Sequence, residues 1–342
     1  MKKKIIIVTV MILVVILLIT GMYFYGLTSV SKNDELVTFT INTNTSTKEV
    51  INNLYEANLL KSKIASMIYI KLNKNILIKA GTYELNRNKN TREILEILSS
   101  GEVINDTIKV QFIEGKRITD YVKTISDKFG YSEEEIYKTI NDQDYLKELI
   151  KKYDFLTDDI LNSDIYYPLE GYLFPATYEY YKNASIKTII EKMLAKTKNV
   201  LDNNNVSLSD KSVHDILTIA SIIENESVFD DDRSIVSQVI YKRLSLNMSL
   251  GMDVTTYYGV KKSLGETLTQ SDLNNENAYN TRRTNFLGLP VGPISNPSEK
   301  SIKAALNPSD TDYLYFYADI STGKLHFAKN YSDFQGLIRK YG

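Results

Sequence analysis

Two glutamates near the middle of the chain carry the chemistry that this sequence could perform. Glu224 and Glu226 stand at the end of residues 215–227, which are predicted to form the last turns of an apolar helix. A carboxyl group beside an apolar face loses solvation, which disfavours its charged form and suits it to donate a proton. The pair therefore predicts general acid catalysis. The helix is indicated by apolar residues at three-and-four spacing: Val213, Ile216, Leu217, Ala220 and Ile223.

The helical pattern alone does not decide which glutamate is the acid. Burial favours Glu224, which follows Ala220 by four residues and so lies on the apolar face, whereas Glu226 lies on its flank, directly before Ser227. Acids at a helix end are also common on solvated surfaces. The hypothesis therefore depends on the rest of the chain.

Composition restricts the candidate chemistry to carboxylates. The 342 residues include no cysteine, which excludes disulfides, thiol nucleophiles and cysteine-ligated metals. The two histidines, His214 and His326, belong to no recognisable metal-ligand or triad motif. A net charge of −1 provides no electrostatic footprint for nucleic acid. We expect an enzyme that needs no metal or cofactor and does not bind nucleic acid.

The amino terminus is predicted to anchor the chain in a membrane. Residues 1–4 (MKKK) form a short basic tail before an apolar run, which we assign to a transmembrane helix over residues 5–27. About 20 apolar residues span a bilayer as a helix. The first alanine of the chain is Ala57, so no Ala-x-Ala cleavage site follows the run. The lysines favour a cytoplasmic amino terminus, with the remainder of the chain outside.

Behind the anchor, the pattern predicts a mixed α+β protein in three parts. Residues 28–102 alternate strand, two helices and strand, and resemble a LysM-like peptidoglycan-binding module, although a purely structural spacer fits the same pattern. Residues 103–165 form a connecting segment of strand and helices, with one helix predicted over residues 133–149. Residues 166–342 form a mixed α+β catalytic domain that ends in a two-stranded hairpin.

Further motifs surround the two glutamates in sequence. An aromatic and proline-rich stretch over residues 166–178 holds one acid, Glu170, and is predicted to form either a wall of a sugar subsite or a packed entry segment between domains. Glycines and prolines over residues 251–259 and 288–297 fix the backbone of loops that would otherwise be mobile. The motifs are LEGYLFPATY (169–178), ASIIENE (220–226), DVTTYYG (253–259), YNT (279–281), GLPVGPISNP (288–297), KAA (303–305) and YLYF (313–316).

Taken in this order, the motifs resemble those of the endolytic murein transglycosylases of the MltG/YceG-like family. The resemblance implies an enzyme of the bacterial cell membrane that cleaves peptidoglycan glycan strands internally, between N-acetylmuramic acid and N-acetylglucosamine, and leaves a 1,6-anhydro end. It also implies that the enzyme limits the length of nascent strands. Membrane-bound peptidoglycan synthases and cell-wall elongation or division proteins are its implied partners.

The resemblance also implies roles for individual residues. It favours Glu226 as the single catalytic acid, because Glu226 and Ser227 match the Glu-Ser pair at the catalytic helix end of lysozyme-like transglycosylases, and Glu224 remains the alternate. Five residues match family positions that line the sugar cleft or brace the glutamate: Asp253, Tyr258, Tyr279, Asn280 and Thr281.

Three departures from the family pattern affect the loops. Val254 replaces the usual proline of Asp-Pro-Thr, Val291 replaces the second of two prolines, and two extra residues separate Thr281 from Gly288, with Arg282 and Arg283 in this insert. Two other functions stay open. A non-enzymatic peptidoglycan-binding scaffold would have the same anchor, and a hydrolytic muramidase would use Asp253 as a second carboxylate.

Overall fold

The computed structural model describes residues 2–101, 107–206, 211–319 and 321–342, with side chains from residue 9 onwards. It divides into two compact units, Met1–Thr107 and Ile108–Gly342. The predicted boundary between residues 102 and 103 lies outside the described residues. Helices and short strands alternate through both units, which confirms the mixed α+β class.

Unit 1 begins with a long apolar helix, α1 (Lys2–Gly26). Within the described part of the chain, α1 holds the one segment, Thr9–Gly26, whose length and mean hydropathy of 2.2 suit a membrane span. The exposed apolar side chains along this segment would be unfavourable in water. This is the helix that the sequence predicts over residues 5–27.

The rest of unit 1 has the predicted order of strand, two helices and strand, followed by one more helix. Strands β1 (Leu36–Ile41) and β2 (Gly81–Asn86) pair antiparallel from Leu36 with Asn86 to Ile41 with Gly81. The helices are α2 (Thr47–Glu56), α3 (Lys63–Leu72) and α4 (Thr91–Ser100). Their core side chains pack with Tyr83 and Leu85 of β2, both 0% exposed. Kinship of this module with LysM stays a prediction.

Unit 2 opens with a two-stranded sheet and a group of helices. Strand β3 (Thr107–Gln111) pairs with β4 (Thr177–Tyr181). Between them lie α5 (Ile118–Phe129), α6 (Glu133–Ile140), α7 (Gln143–Lys152) and a short 3-10 turn (Asp158–Leu161). The single helix predicted over residues 133–149 is wrong, because Asp142 accepts the Tyr145 N–H and so caps a new helix.

The second half of unit 2 is mainly helical. Its elements are α8 (Ile186–Asn203), α9 (Val213–Glu226), α10 (Asp230–Ser245), α11 (Asp253–Gly259), α12 (Gln270–Leu273), α13 (Glu299–Leu306), the antiparallel strands β5 (Tyr315–Ala318) and β6 (Leu325–Ala328), and α14 (Tyr331–Tyr341). Helix α9 lies at the centre and packs against α10, α11 and α13. The predicted terminal hairpin is confirmed by β5 and β6.

Candidate active site

Helix α9 presents both candidate glutamates in its last turn. Ser212 starts the helix by accepting a hydrogen bond from the Asp215 N–H at 3.0 Å. Its apolar residues are almost wholly buried, so packing fixes its position. The helix ends at Glu226, and Ser227 is extended. The negative end of the helix dipole lies here, and it disfavours ionised carboxyl groups in this turn.

Glu224 is locked into the protein. Its Oε2 atom accepts hydrogen bonds from Arg233 Nη1 at 3.2 Å, from the Ser298 N–H at 3.0 Å, from Ser298 Oγ at 2.5 Å and from Ser301 Oγ at 2.7 Å. The side chain is 8% exposed. Glu224 therefore joins the end of α9 to α10 and to the first turn of α13, and its Oε2 atom is fully engaged by protein groups.

Glu226 has a different environment. Its burial is intermediate, as is that of Glu224, and the nearby backbone N–H of Val254 favours its ionised form. Burial, with a smaller contribution from the charge of Asp253, raises the pKa of Glu226 to about 7 against the opposing effects of the Val254 N–H, Arg243 and Arg282. At neutral pH both its protonated and ionised forms are populated, as an acid that must later act as a base requires.

Two arginines and one aspartate surround Glu226 with charge. Asp253 is the first residue of α11, and its Oδ1 atom lies 2.9 Å from Arg282 Nη1. Arg243 is held by the Leu314 carbonyl at 2.7 Å from Nε and by the Leu250 carbonyl at 2.5 Å from Nη1. Burial lowers the pKa of Arg243 from its usual value.

These two arginines belong to the site although neither is a predicted site residue. Arg282 lies in the insert after Thr281, and from the sequence it is interpreted as an exposed charged residue of a loop. In the sequence, Arg243 is distinguished only by its position, because it is a charged residue that continues the helical spacing of the apolar residues Val239 and Ile240. Ser227 also stands out, because its hydroxyl is buried at 4% exposure and has no hydrogen-bond partner within the described parts of the chain.

Glu170 is buried at 2% exposure. Its Oε1 accepts from the Ile118 N–H at 2.9 Å and from Asn296 Nδ2 at 3.2 Å, and its Oε2 accepts from Tyr258 Oη at 3.1 Å. Burial raises the pKa of Glu170 to about 8 although these donors oppose the shift. The carboxyl group thus contacts the amino end of α5, α11 and the loop over residues 288–297.

The same loop is bonded to α9. The Ile294 N–H donates to Ser221 Oγ at 3.0 Å, and Asn225 Nδ2 donates to Ser295 Oγ at 2.7 Å. Gly171 has φ +83°, and a Cβ atom there would lie 2.3 Å from Pro293 Cβ. Only glycine permits this approach of the two segments.

The predicted tyrosines form part of the packing. Tyr258 is 2% exposed and Tyr279 is fully buried, and their rings meet edge to face with centroids 4.7 Å apart. Tyr166 stacks on Tyr258 at 5.8 Å, and its backbone N–H donates to the Tyr279 hydroxyl at 3.3 Å. Burial raises the pKa of both Tyr258 and Tyr279 well above the usual range.

Asn280 and Thr281 fix the loop between α12 and α13. Both are fully buried. Asn280 accepts from Thr256 Oγ1 at 2.8 Å and donates to the Asn275 carbonyl at 2.8 Å. Thr281 Oγ1 lies 2.8 Å from Thr255 Oγ1, so that this loop is joined to α11. The loop carries Arg282 as its next residue.

The predicted residues therefore divide into two groups. Glu226 and Asp253 form one charged group with Arg243 and Arg282, and the Asp253 side chain is 55% exposed. The others are enclosed and hydrogen-bonded within the protein: Glu170, Glu224, Tyr258, Tyr279, Asn280 and Thr281. The geometry brings together a candidate acid–base site in which one carboxyl group, at the end of a buried helix, has a pKa near neutrality.

The chain belongs to the YceG-like family, whose model matches residues 39–340. It is 33% identical to a protein of Bacillus subtilis named endolytic murein transglycosylase, over 95% of this chain and 91% of that protein. It is 29% identical to a Streptococcus pneumoniae protein of the same name, over 87% of this chain and 57% of that protein. These matches confirm the family resemblance.

Solved structures show the same relationship. A crystal structure of a YceG-like protein from Listeria monocytogenes matches 89% of this chain and 100% of its own, with a TM-score of 0.64 and 32% sequence identity. The likeness extends over most of the described fold and so includes both units.

Proposed function

We propose that this protein is an endolytic peptidoglycan lytic transglycosylase with Glu226 as its catalytic acid and base. The contrast between the two glutamates carries the proposal: the Oε2 atom of Glu224 is occupied by protein donors, whereas Glu226 lies in the field of the Asp253 charge and burial raises its pKa to about 7. Relatives across most of the chain are named endolytic murein transglycosylases, which supports the reaction class.

One carboxyl group can carry both proton transfers. Protonated Glu226 gives its proton to the glycosidic oxygen, and the bond from muramic C1 to that oxygen breaks, leaving N-acetylglucosamine with a free hydroxyl. The ionised Glu226 then takes the proton of the muramic C6 hydroxyl as O6 bonds to C1. The product has a 1,6-anhydro ring, no water is consumed, and Glu226 returns to its starting state.

The charges around Glu226 can adjust the balance between its protonated and ionised forms during this cycle. Asp253 favours the protonated form that starts the reaction, and Arg243 and Arg282 stabilise the carboxylate that forms when the proton leaves. The Asp253 side chain is also 55% exposed, so it remains accessible for its predicted contact with the sugar. In the muramidase alternative, Asp253 would instead activate water or attack C1.

The enclosed residues are proposed to position the site. Glu170, Tyr258 and Asn296 form one buried hydrogen-bonded group, while Asn280 and Thr281 join the Arg282 loop to α11. Their polar atoms already have protein partners, so they act by holding Asp253, Val254 and Arg282 around Glu226. A direct contact of Glu170 with substrate would require this group to open.

We further propose that α1 anchors the chain in the bacterial cell membrane with residues 1–4 in the cytoplasm and the catalytic unit outside. The apolar segment Thr9–Gly26 and the lysines before it support this topology. An anchored transglycosylase would meet nascent glycan close to the membrane. This location is consistent with a limit on strand length, and with peptidoglycan synthases and elongation or division proteins as partners.

Product analysis tests the proposed reaction. The full-length protein in nanodiscs is incubated with purified peptidoglycan, and the released ends are identified by mass spectrometry. We expect 1,6-anhydro-muramic ends and internal cleavage. Reducing ends that incorporate ¹⁸O from labelled water would establish the muramidase instead, and binding without any cleavage would establish the scaffold.

A further inference from the structure

Helix α3 carries an apolar face that its own core does not cover. Ile64, Ile68 and Leu72 recur every four residues and are 74%, 42% and 71% exposed, and Leu77 follows at 70%. On the other side, α3 packs Ala65 and Ser66 into unit 1. A surface helix normally places polar residues away from its core. Exposed apolar side chains grouped on one face are typical of a binding surface.

The apolar face begins beside the end of the proposed membrane anchor. Gly26, the last residue of α1, contacts the start of α3 so closely that an added Cβ atom would lie 2.9 Å from the Cβ atoms of Ser62 and Ala65. Lys61 Nζ donates to Thr28 Oγ1 at 2.9 Å and lies 4.5 Å from the centroid of the Tyr25 ring.

The chain that leaves α1 is also bonded to the body of unit 1. The Leu27 carbonyl accepts from the Thr91 N–H at 3.0 Å, and the Ser31 N–H donates to the Arg87 carbonyl at 3.1 Å. These bonds leave no flexible linker between α1 and the module. Helix α3 is about 15 Å long at 1.5 Å per residue, so Ile64, Ile68 and Leu72 all lie within about 15 Å, along this helix, of the start that Gly26 contacts.

The charge of this segment suits an anionic lipid surface. Residues 57–83 contain five lysines and no acidic residue. Lys61 contacts the end of α1, Lys63 lies 3.6 Å from Glu56, and Lys79 donates to the Ser100 carbonyl. Lys71 and Lys74 are exposed beside Leu72. Apolar side chains flanked by lysines are typical of helices that lie in the interface of a membrane.

We infer that Ile64, Ile68, Leu72 and Leu77 rest on the outer surface of the bilayer that α1 enters, with Lys71 and Lys74 at anionic lipid headgroups. The inference rests on the proposed anchoring of α1 and adds a second membrane contact to it. Unit 1 would then contact the membrane at two places, through α1 and through α3.

The absence of cysteine from the chain permits a direct test. Leu72→Cys, at the end of α3 away from α1, is labelled with an environment-sensitive fluorophore in the full-length protein, in nanodiscs of phosphatidylglycerol. The matched control is Glu84→Cys, whose side chain points away from the core that Tyr83 and Leu85 enter. Lipids with a nitroxide near the headgroup serve as quenchers.

We expect severalfold stronger quenching and a blue-shifted emission at position 72 relative to position 84. In neutral phosphatidylcholine, and in the Lys71→Glu, Lys74→Glu variant, quenching at position 72 should fall severalfold. Equal quenching in neutral and anionic discs would overturn the role of the two lysines. Equal quenching at positions 72 and 84 would overturn the inference.

Two further outcomes separate this inference from the proposed anchor. A blue-shifted emission at position 72 that lipid quenchers do not reduce would show that protein, from a second copy or another chain, covers the face. Release of the protein from vesicles by alkaline carbonate would show that α1 does not anchor the chain, and the inference would then fail together with that part of the proposed function.

Discussion

The Nη1 atom of Arg282 lies 2.9 Å from the Oδ1 atom of Asp253, in an ion pair whose side chains are 42% and 55% exposed. Ion pairs this exposed contribute little to folding stability. Both charges nevertheless act on Glu226. Burial is the main cause of its raised pKa, the charge of Asp253 raises this pKa further, and the charge of Arg282 lowers it. The pair can therefore be altered to change the chemistry of the site while the fold is kept.

Asp253→Asn and Arg282→Gln should shift the pH profile in opposite directions. The reaction starts from protonated Glu226, so kcat/KM should fall as pH rises through about 7. Loss of Asp253 lowers the pKa of Glu226 and moves this fall to lower pH, while loss of Arg282 moves it to higher pH, each by roughly half a unit after solvent screening. The profiles are measured by glycan cleavage from pH 5 to 9.

High salt provides the control for this prediction. Screening should bring the two variant profiles closer together. Shifts of the same sign in both variants, or shifts unchanged by salt, would show that the pair acts through loop structure.

Glu224→Ala should destabilise unit 2. It removes the common acceptor of Arg233, Ser298 and Ser301, and leaves a guanidinium that is 11% exposed without this partner. Breaking such a buried pair costs about 3 kcal/mol. Denaturant unfolding of Glu224→Ala beside Glu226→Ala measures the difference. A loss of stability at position 226 equal to that at position 224 would contradict the structural role assigned to Glu224.

The contribution of Glu170 to folding stability should fall as pH rises from about 4 to about 8. Its pKa is about 8 in the folded chain and about 4.3 when unfolded. The folded state therefore holds the proton more tightly, and the stability gained from it is complete below pH 4 and is lost as pH rises through 8. Glu170→Gln, which keeps a carbonyl acceptor, should flatten this dependence. An unchanged pH dependence of the unfolding free energy in this variant would refute the assignment.

Gly171→Ala should cost roughly 2 kcal/mol or more, because it combines a left-handed backbone with a clash against Pro293. Gly130→Ala is the matched control, with φ +78° and open space around the added methyl group. Its cost should stay near 1 kcal/mol. Thermal unfolding of both variants tests the close contact, and equal costs would argue against it.

Local signals in the sequence predict much of the fold. The apolar spacing before Glu224 predicts α9, and alternating residues predict β5 and β6. The break between α6 and α7 is missed because apolar residues at helical spacing stand on both sides of Asp142, which the folded chain uses as a cap. Helix α14 has no counterpart among the sequence predictions.

The site could be predicted only in part, for a physical reason. Periodicity correctly places Glu224 on the buried face, yet burial there comes with donors from Ser298 and Ser301, more than 70 residues later in the chain. Those contacts cannot be read from local spacing. The resemblance to the family supplied Glu226, whereas Arg243 and Arg282 emerge only from the folded chain.

The most direct test of the central claim compares Glu226→Gln with Glu224→Gln in peptidoglycan cleavage by the full-length protein. Both substitutions remove one carboxylate and keep its shape, and circular dichroism confirms that each variant is folded. We predict that Glu226→Gln reduces cleavage by about 10²- to 10⁴-fold, as loss of a general acid does, while folded Glu224→Gln keeps most of its activity. Cleavage that survives in Glu226→Gln but is lost in folded Glu224→Gln would contradict the account and make Glu224 the acid.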